Sequence, residues 1–192
     1  MLNFSRTKLV FGIALAVTAL ASLSLTANAL SALNSNAPTV ALSASLAESL
    51  SLSIVNGSVG FTLTNGTTTV GDKSVAITSK WTLLPTRTSV KVYGSFSDST
   101  AALTDGSSNN IASANVLGKV STGTPTAFTA FTQTAAFGGA GAGLLLVNQA
   151  ISSSTPNFVG TRTDNLDLEI STPSDLPAGT YTGTLTLQAQ AN

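Results

Sequence analysis

The stretch Val40-Ala-Leu-Ser-Ala-Ser-Leu-Ala-Glu-Ser-Leu-Ser-Leu-Ser-Ile54 decides the fold class. Its even positions are Val40, Leu42, Ala44, Leu46, Leu50, Leu52 and Ile54, interrupted once by Glu48, and its odd positions are all Ser or Ala. A period of two places apolar and hydroxyl rows on opposite faces of an extended backbone, whereas a helix needs apolar spacings of three and four. The stretch therefore reads as β-strand, with a change of role at Glu48.

The same alternation recurs along the chain. It appears in Val59, Phe61 and Leu63, in Val75, Ile77, Trp81 and Leu83, and in Val90, Val92 and Phe96. Leu166, Leu168 and Ile170 repeat it. So does the closing stretch, with Tyr181, Gly183, Leu185, Leu187, Ala189 and Ala191 on one face and mainly Thr and Gln on the other. Asn56-Gly57, Asn65-Gly66 and Asp105-Gly106 are turn dipeptides that tolerate positive φ. Short strands with such turns between them predict an all-β fold, an antiparallel β-sandwich of immunoglobulin-like or pilin-like type, built as one domain over residues 39–192. Residues 98–115 read as a long loop or hairpin. Gly138 to Gly143 reads as a flexible loop before a buried strand at Leu144–Ile151.

Composition narrows the chemistry. The 192 residues hold no His and no Cys, with 8 Lys+Arg against 8 Asp+Glu. That removes a Ser-His-Asp triad, a thiol nucleophile, any disulfide and the usual zinc and haem sites. Scattered, balanced charge lacks the basic footprint of a nucleic-acid binder. The 26 Ser and 29 Thr suit exposed strand faces, because Thr favours extended backbone while its hydroxyl stays hydrated.

The first 29 residues read as a secretory signal peptide. Arg6 and Lys8 precede an apolar run from Leu9 to Leu25, and Ala27-Asn28-Ala29 offers the small residues of a cleavage site. Cleavage after Ala29 leaves residues 30–192 with a net charge near −2, since 6 basic and 8 acidic side chains remain. Residues 30–38 read as a flexible N-terminal segment, and no later stretch is apolar enough to span a bilayer. The expected location is secreted, extracellular or at the cell surface.

Few motifs carry chemistry. Asp167 and Glu169 share a strand face about 6.5–7 Å apart, between the retaining and inverting separations of glycosidases, but on the face opposite Leu166, Leu168 and Ile170. They read as a solvated outer face. Asp98, Asp105, Asn109 and Asn110 could offer oxygens to calcium, yet such loop residues more often bond to their own turns. Trp81 and Tyr181 share parity with core residues. Tyr93 has the opposite parity to Val90 and Val92, so it is the one aromatic expected outside, a candidate ligand contact for a sugar ring. The run GGAGAG lacks the Lys-Ser/Thr ending of a phosphate loop. Asn56-Gly-Ser and Asn65-Gly-Thr match glycosylation sequons but coincide with turns. No catalytic residue, metal or cofactor is expected.

The stretch Leu176-Pro-Ala-Gly-Thr-Tyr-Thr-Gly-Thr-Leu-Thr-Leu187 resembles the closing strand of secreted bacterial pilin-like domains, both the spore-coat-protein-U group and chaperone–usher fimbrial subunits. The resemblance implies an extracellular structural or adhesive role, not an enzyme. Members often carry a disulfide, which this chain lacks.

The residues themselves allow two readings of the N-terminal alternation. Val40, Leu42, Ala44 and Leu46 form an exchanged assembly strand, and Leu50–Ile54 opens the home domain. The plainer reading is one long strand bent at Glu48 between its own two sheets. The expected partners are further copies of the chain, joined through sheet edges into an oligomer or filament, with a chaperone to cover unpaired edges. The alternative function is a stand-alone adhesin or carbohydrate-binding module using Tyr93 and the 98–115 loop.

Overall fold

A computed structural model describes residues 36–132, 143–154 and 156–192. The signal-peptide reading, and all of the Gly138–Gly143 loop except Gly143, lie outside these residues.

The fold is all-β with antiparallel sheets. The strands are β1 Ser49–Val55, β2 Thr68–Val70, β3 Val75–Thr82, β4 Ser89–Ser95, β5 Leu103–Thr104, β6 Asn110–Ile111, β7 Val116–Val120, β8 Thr129–Ala130, β9 Leu144–Ala150, β10 Val159–Ser171 and β11 Thr186–Ala191. One turn of 3-10 helix, Ser113–Asn115, precedes β7. The larger sheet runs β1-β3-β10-β7-β8, with β2 also paired to β10. The smaller runs β11-β4-β9, and β5 and β6 form a separate hairpin.

Alternation explains the layers. Val75 and Ile77 of β3 and Leu166 and Ile170 of β10 are buried with Val92, Leu146 and Val147 of the smaller sheet, and Trp81 of β3 is buried in a second cluster with Val90 of β4. On the opposite face of the larger sheet, Ser53, Thr78 and Thr163 lie in register across three strands, and the Thr78 and Thr163 hydroxyls are 2.9 Å apart. Phe131 fills the middle, edge-on to Phe96 at 5.5 Å between ring centroids. It fits because position 118 is glycine. A Cβ on Gly118 would stand 2.8 Å from the Phe131 ring.

The turn residues behave as their chemistry predicts. Asn56, Gly66 and Gly106 all have positive φ, at 61°, 70° and 80°. The Asp105-Gly106 turn closes the β5–β6 hairpin inside the 98–115 region.

Tyr93 is a correction. It was expected to face outward, yet it is only 8% exposed. Its parity holds, because Val92 and Phe96 join the core and a Cβ on Gly94 between them would meet Phe131 and Leu146, but the outer face is covered there: a Cβ on Gly143 would stand 3.4 Å from that of Tyr93.

At the N-terminal side the compact unit spans Ser45–Asn192, and residues to Ala44 form a separate unit. Pairing with β3 begins at Ser49, so no ladder continues through Glu48 toward Val40. Residues 36–47 carry no strand or helix, and Val40, Leu42 and Leu46 are 81%, 92% and 80% exposed.

Candidate functional site

The two sheets do not close evenly along their shared edge. β1 and its continuation form the edge of the larger sheet, and β11 with the segment before it forms the edge of the smaller. At one end the edges meet. β1 and β11 lie side by side there, and Leu50 and Ala191 pack on Trp81, Leu83, Val90 and Ile151. Trp81 Nε1 donates to the Asn157 carbonyl at 2.9 Å, which seals this end with its one polar atom satisfied.

The other half stays open. Residues 57–64 extend the line of β1, and residues 180–185 lead into β11. Their apolar parity matches the sequence reading, but neither segment is a ladder strand. The first is held from behind: Asp72 N donates to the Gly60 carbonyl at 3.0 Å, and Gly60 N donates to Asp72 Oδ1 at 2.8 Å. The second is held from behind by the reciprocal Thr104–Thr182 bridge, both bonds 2.9 Å. Gly183 allows that approach, since a Cβ there would strike the Ala102 carbonyl. Among the described residues no backbone hydrogen bond joins the two segments to each other.

Between them lies a groove of about 800 Å³. One wall presents Ile54, Val59, Phe61 and Leu63, and the other presents Leu176, Tyr181, Leu185 and Leu187. The floor is the core itself, through Val75, Phe96, Val116, Leu166, Leu168 and Ile170. No Asp, Glu, Lys or Arg lines it. At the far end Asn65 Nδ2 donates to the Leu176 carbonyl at 2.8 Å, and the Tyr181 hydroxyl donates to the Pro177 carbonyl at 2.8 Å. Desolvation at this wall, with the Asp105 carboxylate nearby, raises the Tyr181 phenol above its ordinary pKa.

A groove between two edge segments that no ladder joins can accept an added strand. Main-chain groups supply the bonds, and alternate side chains fill the floor.

Glu48 marks where the chain enters the closed end. Its Oε1 accepts from Leu84 N at 2.8 Å and Arg87 Nε at 3.1 Å, and its Oε2 accepts from Arg87 Nη2 at 2.8 Å. Arg87 Nη1 donates in turn to the Ala191 carbonyl at 3.3 Å, tying the start of β1 to the end of β11. The Arg87 guanidinium first, and the Leu84 N–H second, bring the Glu48 carboxyl down to about 2. The break in alternation at Glu48 was visible in the sequence. Its partner was not, since nothing local links positions 48 and 87.

The other candidates are accounted for by structure. Asp98 Oδ1 accepts from Thr100 N and Oγ1, both at 2.8 Å, and these bonds lower its pKa. Asp105 accepts from Asn109 Nδ2 at 2.7 Å and from Ser107 N at 2.8 Å, which lowers its pKa likewise. Both carboxylates serve their own turns. Asp167 accepts from Ser74 Oγ at 2.5 Å and pairs with Lys119 at 3.5 Å on the side of β10 away from the core.

In the sequence Asp164 reads only as added charge near Asp167 and Glu169. It is 2% exposed, with Oδ1 accepting from Thr122 Oγ1 at 2.6 Å and both oxygens accepting from Arg162 at 2.8 Å. Burial pushes its carboxyl up, and Arg162 and Thr122 together outweigh that, so the net shift is downward. Arg162 also donates to the Thr122 carbonyl and to Gln149 Oε1 of β9, linking the two sheets. Its signal was available: Asp164 shares parity with Leu166 and Ile170.

No family model, no curated protein and no solved structure matches this chain.

Proposed function

We propose that this chain is a structural subunit of a secreted surface assembly, such as a pilus-like filament, and that its copies join by exchange of an N-terminal strand. One observation carries the reading. An uncharged groove lies between two sheet edges that no ladder joins, while residues 40–46 offer an exposed segment of alternating apolar side chains. Edges left without ladder partners are a liability for a lone domain and a joint for an assembled one. The very low charge of the chain, 8% of residues, removes much of the like-charge repulsion that opposes packing many copies together. Export rests on the Arg6–Ala29 leader pattern, and a structural rather than catalytic role rests on the absence of His and Cys and on the turn duties of the loop carboxylates.

The adhesin reading has lost its main support, because Tyr93 is buried.

Light scattering of the exported chain against concentration tests the proposal. Wild type is expected to grow into large species as concentration rises, and Leu42→Asp is expected to stay small with an unchanged thermal transition. Growth of both to the same extent would remove the arm from the mechanism. Retention of a monomeric wild type on a polysaccharide matrix would return the adhesin reading.

A further inference from the structure

The sequence holds two Asn-Gly pairs, Asn56-Gly57 and Asn65-Gly66. We infer that Asn56 is a site of spontaneous deamidation in the folded chain and that Asn65, in the same dipeptide, is protected. Asn-Gly is open to this reaction because the attacking nitrogen belongs to a residue with no Cβ to obstruct it. Both turns are exposed, so exposure does not separate them. Hydrogen bonding does.

The reaction begins when the glycine nitrogen, giving its proton to solvent base, attacks Cγ of the asparagine before it. A C–N bond forms, the side-chain amide nitrogen takes up a proton and leaves as ammonia, and a five-membered succinimide remains. Water then adds to one of the two ring carbonyls. Opening at Cγ leaves aspartate, and opening at the backbone carbonyl leaves isoaspartate, with one more carbon in the main chain. In sum one water is consumed and one ammonia released. The first step needs a backbone N–H without an acceptor and a side-chain amide that can turn.

At position 65 both groups are held. Gly66 N donates to the carbonyls of Thr172 at 3.1 Å and Pro173 at 3.3 Å, and Asn65 Nδ2 donates to the Leu176 carbonyl at 2.8 Å. Thr67 N and Oγ1 close the turn onto the Thr64 carbonyl, and the Thr67 carbonyl accepts from Thr172 N at 2.8 Å. At position 56, among the described residues, nothing accepts from Gly57 N. Asn56 Nδ2 reaches the Ser74 carbonyl only at 3.4 Å, well beyond the usual length. The β1–β3 ladder ends one residue earlier, at Val55 opposite Ala76. Attack also asks Asn56 to rotate out of its φ of 61°, a left-handed conformation that a residue other than glycine gives up easily. Each hydrogen bond that must break before attack slows the step, and two of ordinary strength amount to about ten- to thirty-fold.

The site adjoins the groove, since Ile54 and Gly57 both line it and no charged side chain does. Deamidation therefore sets a carboxylate at its rim, and the isoaspartate form lengthens the chain between β1 and residues 57–64. The reaction does not depend on what the groove holds.

Incubating the full exported chain in mildly alkaline buffer tests this, with peptide mass spectrometry following the amide-to-acid change at each site. Electron-transfer fragmentation separates isoaspartate from aspartate. In the folded chain Asn56 is expected to convert at least about ten-fold faster than Asn65, and in urea the two rates are expected to converge. Gly57→Ala, whose added Cβ would meet only the Ile54 side chain, 3.0 Å from Cδ1, is expected to slow Asn56 in both states. Equal rates in the folded chain, or Asn65 ahead, would overturn the inference. So would an Asn56 that converts in urea and stays intact when folded. Undiminished conversion in Gly57→Ala would overturn the succinimide route. A sugar mass on Asn56 in material from producing cells would show the Asn56-Gly-Ser sequon in use and overturn deamidation there.

Discussion

The side chains that hold this sandwich together are polar as often as apolar at its two critical joints. Arg162 and Asp164 form a nearly buried pair, with the carboxylate closed off and the guanidinium bridging to β9. Removing one partner strands the other charge in a poorly hydrated site, which typically costs about 3–5 kcal/mol. Asp164→Asn is therefore expected to lower the urea midpoint strongly, by an amount near that range once multiplied through the slope. A change under about 1 kcal/mol would mean that water reaches Arg162. Glu48 makes a different prediction. Its folded pKa of about 2 lies below the ordinary 4.5, so its contribution is complete above about 4.5 and is lost as pH falls toward 2. Glu48→Gln is expected to remove that part of the acid limb from a stability–pH curve while leaving the shape above pH 5 unchanged. An acid limb identical to wild type would show the Glu48–Arg87 contact to be energetically silent.

At the scale of elements, the strands with a clear alternation were legible in the sequence: β3, β4 and β10 turn their expected side chains to the core. Turn chemistry at Asn56, Asn65 and Asp105 was equally legible, because positive φ is a local demand. Tyr93 was misjudged because parity tells which face a side chain takes and not what covers that face, here the chain at Gly143. Residues 57–64 and 180–185 show the deeper limit. Their alternation announces a strand, and the backbone is extended, but ladder bonds need a neighbour, and pattern within one segment says nothing of what lies beside it. The same missing neighbour makes the groove. Its walls were readable residue by residue, and its being open was not. Truncation on the groove wall should cost less than truncation in the closed core. Phe61→Ala on the groove wall is expected to cost less stability in the unassembled chain than Ile77→Ala in the closed core, where a cavity penalty of 2–5 kcal/mol applies. Equal losses in thermal unfolding would mean that the groove wall is already fully packed.

The Ser45–Asn192 unit is an antiparallel sandwich of two unequal sheets, sealed at the Glu48–Ala191 end, with a groove further along one edge. The boundary between the two units of the chain falls at Ala44, inside the N-terminal alternating segment. The proposal joins those features: in it the fold is finished by another copy of the chain, and the low charge and hydroxyl-rich outer strands suit close repetition. Electron microscopy of negatively stained protein, from the purified exported chain and from material sheared off producing cells, tests that account most directly. The account predicts filaments in both samples that contain this chain, with none formed by Leu42→Asp. Discrete monomers of wild type in both samples, at concentrations where the groove should be saturated, would contradict it.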